Sequence, residues 1–317
     1  MGRTLCRSRC SDIVVLFQKI MAMNLKMKLV EEENVVEGPP PSPGTAATNT
    51  WSSLPAPVNH AEVALKLHKN PTLYDDLSIA RLASLNVLCS NNWDRDLIIQ
   101  APKPEERVFH ARSRNSEEPH FFYMFDYMVT LGVKFPFSDF ICKCLSIAQV
   151  APSQLQPNAW GFLRCFELLA DYFNFEPTHS LFFAIHTVTF NTVMHNFVAF
   201  GARKSMSLFS AYRSNWKVEK FWFFKVIDSP AFIPLMRYAD GTARFPFYWV
   251  QSPRHFIGYE DGALSEKERV VLDFLYEAIQ GPISGKELII AASNGEANKY
   301  LSKDPIMSDK RFVLNFD

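Results

Sequence analysis

Glycine-rich phosphate loops, paired cysteines and long apolar runs are all missing from this sequence. The chain has 317 residues but only 12 glycines, and none opens a loop followed by Lys and Ser or Thr. A phosphate loop needs that arrangement so that backbone N–H groups can approach the phosphates. Gly285-Lys286-Glu287 comes nearest and lacks both the upstream glycine and the hydroxyl. The Gly-x-Ser-x-Gly elbow that exposes a serine nucleophile is absent, as is the dinucleotide fingerprint. No cofactor is therefore expected. The six cysteines, Cys6, Cys10, Cys89, Cys142, Cys144 and Cys165, are sparse and irregular. That excludes a disulfide framework and points to a reducing compartment, nuclear or cytoplasmic. Cys142 and Cys144 have no second pair, and on a helix they project about 200° apart, so no metal site is expected there. The cysteines read as small core residues or free thiols. No apolar run reaches the ~18 residues of a membrane helix, so no membrane partner is expected. Arg3, Arg7 and Arg9 precede Ile13–Phe17, an apolar stretch too short for a secretory signal.

Titratable residues form no familiar constellation. His179, His186 and His195 are a loose cluster without a carboxylate in register. Asp126, Asp139, Asp171, Asp228 and Asp240 could in principle hold metals for strand transfer, but they stand at unremarkable places. No aspartic-protease or polymerase signature appears; Tyr259-Glu260-Asp261-Gly262 lacks the paired aspartates.

What is present is apolar mass. Hydrophobic residues make up 48% of the chain, and 28 residues are Phe, ample for one large core or two small ones. Formal net charge is zero, so any nucleic-acid affinity has to be local. Residues 1–58 read as a disordered N-terminal region ending in a Pro-rich linker, because Gly38-Pro39-Pro40-Pro41-Ser42-Pro43-Gly44 cannot bury enough surface to order itself. Residues 59–118 read as short helices, Ala61–His68 and Asp75–Cys89, followed by a charged linker over 101–118. In the second helix Leu77, Ala80, Leu85 and Leu88 are the expected apolar positions.

The compact part spans 119–281, with a short helix and tail over 282–317. Phe121–Val129 fits helix or strand. Apolar spacing predicts a helix after Pro136, and a long one over Pro157–Phe173 through Ala159, Phe162, Leu163, Phe166, Leu169, Ala170 and Phe173. Thr178–His186 is a further helix. Val188–Phe200, Met206–Tyr212, Lys220–Ile227 and Phe245–Val250 read as antiparallel strands, with Asp240-Gly241 as a turn. Ser265 with Glu268, and Ser284 with Glu287, form capping boxes for two helices, the first stopped by Gly281-Pro282. The expected fold class is α+β: a helical cluster, a small antiparallel sheet and C-terminal helices.

One segment carries an unbalanced charge. Gly201–His255 holds the bases Arg203, Lys204, Arg213, Lys217, Lys220, Lys225, Arg237, Arg244 and Arg254 against Glu219, Asp228 and Asp240. Aromatic residues interleave with them. Arg203, Lys204, Arg213, Trp216, Lys217, Lys220, Trp222 and Lys225 are therefore the candidate nucleic-acid-binding residues, because cations grip phosphates and exposed rings stack on unpaired bases. The competing reading is a sheet with aromatics inward and cations outward for solubility. No catalytic residue is assigned.

Three stretches carry a family likeness: Leu131-Gly132-Val133-Lys134-Phe135-Pro136-Phe137-Ser138-Asp139-Phe140, Val150-Ala151-Pro152-Ser153-Gln154-Leu155-Gln156-Pro157-Asn158-Ala159-Trp160, and Phe245-Pro246-Phe247-Tyr248-Trp249. Their order and spacing resemble the plant gypsy-type transposase domain found in long-terminal-repeat element polyproteins. The family usually has His where Gln156 stands. The resemblance implies descent from a mobile element and supplies no catalytic residues. Three functions follow as expectations: a non-enzymatic scaffold or nucleic-acid-associated domain, an active DNA strand-transferase, or a host protein-interaction module.

Overall fold

A computed structural model of the chain describes residues 72–84, 88–89, 97–111, 117–191, 197–203, 207–210, 222–228, 236–250 and 253–309. The expectations for residues 1–58 and for an Ala61–His68 helix lie outside the described residues. The described part is mixed α+β, as expected.

Its centre is a three-stranded antiparallel sheet. The ambiguous Phe121–Val129 stretch divides: β2 is Phe121–Phe125, and the chain then turns into a short helix, α2, Asp126–Thr130. The sheet's middle strand is β6, Phe223–Ile227, flanked by β2 and by the edge strand β1, Ile98–Gln100. The β2–β6 register sets Phe121 opposite Ile227 and Phe125 opposite Phe223. Every residue of β2 and β6 is buried, so both faces of the sheet are covered at these two strands, while β1 is largely exposed. Such strands lose the in–out alternation that marks a half-exposed sheet, and this is why periodicity leaves Phe121–Val129 open.

The other strands depart from the expected single sheet. Val188–Phe200 is a two-stranded hairpin, β3 (His186–Asn191) with β4 (Phe197–Ala202). β5, Phe209–Ser210, pairs in parallel with β7, Ile283–Ser284. Phe245–Val250 forms no regular strand, although Phe245, Phe247, Trp249 and Val250 are all buried. Pro246 has no N–H for a ladder, and the side-chain amide of Gln154 meets both backbone groups of Val250.

Local chemistry fixes the helices. α3 is Asp139–Ala148, where the Ser138 hydroxyl accepts from the Ile141 N–H and Gln149 closes the end in the left-handed region. α4, Pro157–Phe173, has the predicted bounds, with Pro157 in the first turn and Asn174 as left-handed cap. It is the central helix: Trp160, Leu163, Cys165, Phe166 and Leu169 are all fully buried, so it is enclosed well beyond one stripe. Phe162, expected in that stripe, is only partly buried. α5 (His179–Ile185) starts from Thr178, whose hydroxyl accepts from the Leu181 N–H. α6 (Glu266–Ala278) has the full Ser265–Glu268 capping box. α7 (Gly285–Ser293) has only half of its box. Ser284 accepts from the Glu287 N–H, but the Glu287 carboxylate takes the Tyr300 hydroxyl instead, at 3.1 Å. Tyr300 belongs to α8 (Ala297–Leu301), and α9 (Pro305–Asp309) follows.

Two expectations upstream need correction. α1 runs only Asp76–Ser84 and buries Ile79 and Leu82, leaving Leu77 61% exposed and Ala80 exposed as well. Leu85 is outside the described residues, and Leu88 is buried beyond the helix. Within the charged 101–118 segment, of which 112–116 lie outside the described residues, the part around Val108 and Phe109 is anchored: each is 1% exposed, and the Phe109 ring lies 6.2 Å from that of Trp249.

Candidate nucleic-acid interface

Of the eight candidate residues, Arg203, Trp222 and Lys225 are described; Lys204, Arg213, Trp216, Lys217 and Lys220 lie outside the described residues. Arg203 directly follows β4 and is 8% exposed. Its guanidinium donates to the carbonyls of Ala184 and Tyr259 and pairs with Glu260. Lys225 sits in the middle of the central strand, 4% exposed, paired with Glu106 and 4.5 Å from the Phe121 ring centroid. Both cations are therefore spent inside the fold. Trp222 is half-buried, its ring edge-on to Tyr74 at 5.3 Å, and its indole N–H is buried without a hydrogen-bond partner.

The charge excess along Gly201–His255 also shrinks in space. Arg237 pairs with Asp228 at 2.7 Å, and Arg244 pairs with Asp139. Glu260, Glu106 and Asp139 all come from outside the counted segment, so three of four ion pairs are invisible to a count along the sequence. Only the Lys225–Glu106 and Arg237–Asp228 pairs are enclosed on both sides; Glu260 and Asp139 are largely exposed. An enclosed pair is costly to break on one side, because the remaining charge is stranded.

The three family-like stretches converge on one buried cluster. The Phe137 ring lies 4.8 Å from Phe135, 5.6 Å from Trp160 and 5.4 Å from Phe245. Phe122 of β2 closes the cluster, 5.5 Å from Phe245 and 5.8 Å from Phe247. Beside it stands a buried polar network. Gln154, fully buried, donates to the Val250 carbonyl at 2.8 Å and accepts from the Val250 N–H at 3.1 Å. The Trp249 indole donates to the Ser153 hydroxyl at 2.8 Å, and the Trp160 indole to the Pro152 carbonyl at 3.0 Å. The Tyr127 hydroxyl donates to the Leu155 carbonyl at 2.8 Å. Sequence reasoning reads this stretch as structural through Pro157 and Trp160 but misses Ser153 and Gln154. Their signal is two polar side chains set between apolar neighbours, which buried chains tolerate only when hydrogen-bonded. Gln156, at the family's usual His position, gives its backbone N–H to the Val198 carbonyl at 2.8 Å.

Other titratable groups are set by burial. His186 is enclosed, stacked on Phe182 at 4.2 Å, with Nδ1 3.1 Å from the Phe182 carbonyl, and burial pushes its pKa down to about 4. His179 is lowered as well, chiefly by burial; His195 is outside the described residues. Burial raises the Asp126 carboxyl, which takes the Tyr74 hydroxyl at 2.6 Å. Cys142 and Cys165 are pushed up to about 12 by burial, as inert core thiols are. Glu268 behaves oppositely: against a burial penalty, the hydroxyls of Thr178 and Ser265 hold its pKa below the usual range. Its carboxylate thus serves the N-caps of α5 and α6 together. Among the described residues, no three His, Cys, Asp or Glu side chains stand close enough to share a metal ion.

The family profile described as "Putative gypsy type transposon" matches residues 123–190. The match begins within β2 and ends within β3, taking in the first two motif stretches and leaving out Phe245–Trp249. No curated protein and no solved structure matches the chain. The segment from Tyr123 to Phe190 is thus similar to that family, which supports a gypsy-type transposase-like domain there.

Proposed function

We propose that this chain is a domain descended from a plant gypsy-type mobile element and acts as a non-enzymatic scaffold that associates with nucleic acid. The observation that carries the scaffold reading is the destination of the motif residues. Trp160, Gln154, Phe137, Phe245 and Trp249 are all buried and engaged with one another's stretches. A catalytic stretch would instead aim acids, bases or nucleophiles at a substrate. Purified protein incubated with DNA and magnesium or manganese is expected to leave the DNA uncut and unjoined. Metal-dependent cleavage that a single Asp substitution abolishes would replace this reading with the strand-transferase.

The nucleic-acid part rests on Lys204, Arg213, Lys217 and Lys220, with Glu219 as the single acid in that run. Such contacts displace counterions without reading bases, so binding is weak, sequence-independent and salt-sensitive, with a dissociation constant of roughly 10⁻⁴–10⁻⁶ M. Each phosphate contact to a single strand contributes about 0.7 to the log–log salt slope. Lys217→Glu combined with Lys220→Glu is expected to weaken binding and to flatten that slope by about 1.4. An unchanged slope in a titration of labelled oligonucleotide across salt would remove these two lysines from the interface.

A further inference from the structure

The loop Arg254–Tyr259 is fastened by its backbone, with His255 and Ile257 exposed and Phe256 and Tyr259 packed against the core. The Arg254 N–H donates to the Ala148 carbonyl at the end of α3, at 3.3 Å. Phe256 and Val188 exchange both backbone hydrogen bonds, at 2.7 and 3.2 Å, and the Tyr259 N–H donates to the Phe183 carbonyl at 3.0 Å. Gly258 lets the loop press against the body of the fold: its φ is +100°, and a Cβ there would stand 2.3 Å from the Phe183 carbonyl oxygen. Yet His255 is exposed, Ile257 is 52% exposed, and Arg254, Phe256 and Tyr259 are only partly buried. A segment ordered before any ligand arrives loses little entropy when one binds.

The loop continues a band along the outer face of α3. The Tyr259 ring lies 6.0 Å from His179 and 5.0 Å from Phe256, and the Arg254 guanidinium lies 5.3 Å from the Phe256 centroid. Lys143, exposed on α3, interacts electrostatically with His179 and reaches to 5.6 Å from the ring of Tyr238. Tyr238 is 42% exposed, and the Arg244 guanidinium lies 5.9 Å from the same ring. Of the neighbouring acids, Asp139 pairs with Arg244 and Glu260 with Arg203. Among the described residues Glu268 and Asp240 accept only neutral donors, from Thr178 and Ser265 and from Thr242, and keep their charge. Lys143 has no ion pair among the described residues.

We propose that this band, from Tyr238 and Lys143 across to Arg254 and Tyr259, binds single-stranded nucleic acid. Lys143 and Arg254 meet phosphates, and the exposed face of Tyr238, with the partly buried Tyr259 ring at the band's edge, takes unpaired bases, a combination that duplexes cannot use fully. The proposal rests on the nucleic-acid association above but assigns it a separate, ordered surface. RNA and DNA single strands share the recognised chemistry, phosphate plus open base.

The test is fluorescence anisotropy of the full chain with labelled oligo-dT, oligo-U and a duplex of equal length at low salt. Lys143→Glu with Arg254→Glu is expected to weaken both single strands roughly tenfold and to flatten the salt dependence. Tyr238→Ala is expected to weaken them severalfold with the salt slope unchanged, because stacking releases no ions. Lys143→Gln, a milder change, is expected to act in the same direction, and an unshifted thermal transition establishes that each variant is folded. Equal loss for dT and U supports a site blind to the sugar; loss for one alone narrows it to that nucleic acid. If wild type binds but these variants match it while Lys217→Glu with Lys220→Glu does not, the band is overturned and the association stands. Absence of any binding up to about 10⁻⁴ M protein overturns both. A duplex bound as tightly as single strands, with Tyr238→Ala silent, overturns the stacking role.

Discussion

Trp160→Ala is expected to lower the unfolding free energy by about 3–5 kcal/mol, the range for truncating a buried aromatic residue. The indole is fully buried in the first turns of α4, and the Phe137 ring lies 5.6 Å away. It also donates to the Pro152 carbonyl, so truncation strands that acceptor beside a new cavity. Cavities of this kind are costly because close-packed neighbours relax only in part. Against a typical total stability of about 5–15 kcal/mol, such a loss leaves the domain marginal or unfolded at room temperature. Denaturant titration with unchanged m-value measures it. Phe166→Ala, about one and two-thirds turns along the same helix and packed on Phe140, Phe175 and Phe182, serves as the comparison. A Trp160→Ala loss below about 1 kcal/mol would mean that the motif stretches do not converge on a tightly packed core.

α4 shows what the sequence makes legible. Its apolar residues recur at threes and fours, Pro157 marks the start, and the observed bounds coincide with the pattern. The Ser265–Glu268 box is equally readable, because both halves of its chemistry lie within four residues. The Ser284–Glu287 box is half lost because Tyr300, far along the chain, competes for the same carboxylate. That competition is tertiary and leaves no local trace. The same holds for Phe245–Val250, which has strand composition but gives its backbone partnership to the Gln154 side chain. β-propensity reports a fit to a half-buried pleated surface, and this segment meets the burial without the ladder.

The candidate site was legible in composition and not in placement. Counting bases along Gly201–His255 cannot see Glu106, Asp139 or Glu260, which lie elsewhere in sequence but within ion-pair distance in space. Lys225 looks from sequence like the solvent-facing member of an aromatic strand. Its strand is instead the middle one of its sheet and is covered on both faces, where a cation persists only with a buried partner. Arg254 counts from sequence only as one base of Gly201–His255, and Tyr238 is not singled out, since nothing near them in the chain predicts that Lys143 of α3 reaches the Tyr238 ring.

Gly258→Ala is expected to destabilise the domain by about 2–5 kcal/mol, combining left-handed backbone strain with forced overpacking. The added Cβ would lie 2.3 Å from the Phe183 carbonyl oxygen and 3.2 Å from that of His186. Those are backbone atoms at the end of α5 and the start of β3, so no side-chain rotation relieves the clash. The side-chain atom among the three nearest is the Arg203 Cδ, which would be 3.1 Å away, and that guanidinium is itself tied to Ala184, Tyr259 and Glu260. Gly241→Ala separates the two contributions. Gly241 has φ +82° in the Asp240–Thr242 turn, but a Cβ there meets nothing within 4 Å. It carries the backbone strain alone, expected at about 1–2 kcal/mol. Thermal melts of the two variants side by side read the difference. If Gly258→Ala costs no more than Gly241→Ala, the loop is not pressed onto the Phe183 and His186 carbonyls. The fastened surface from Arg254 to Tyr259 would then be an ordinary mobile connection.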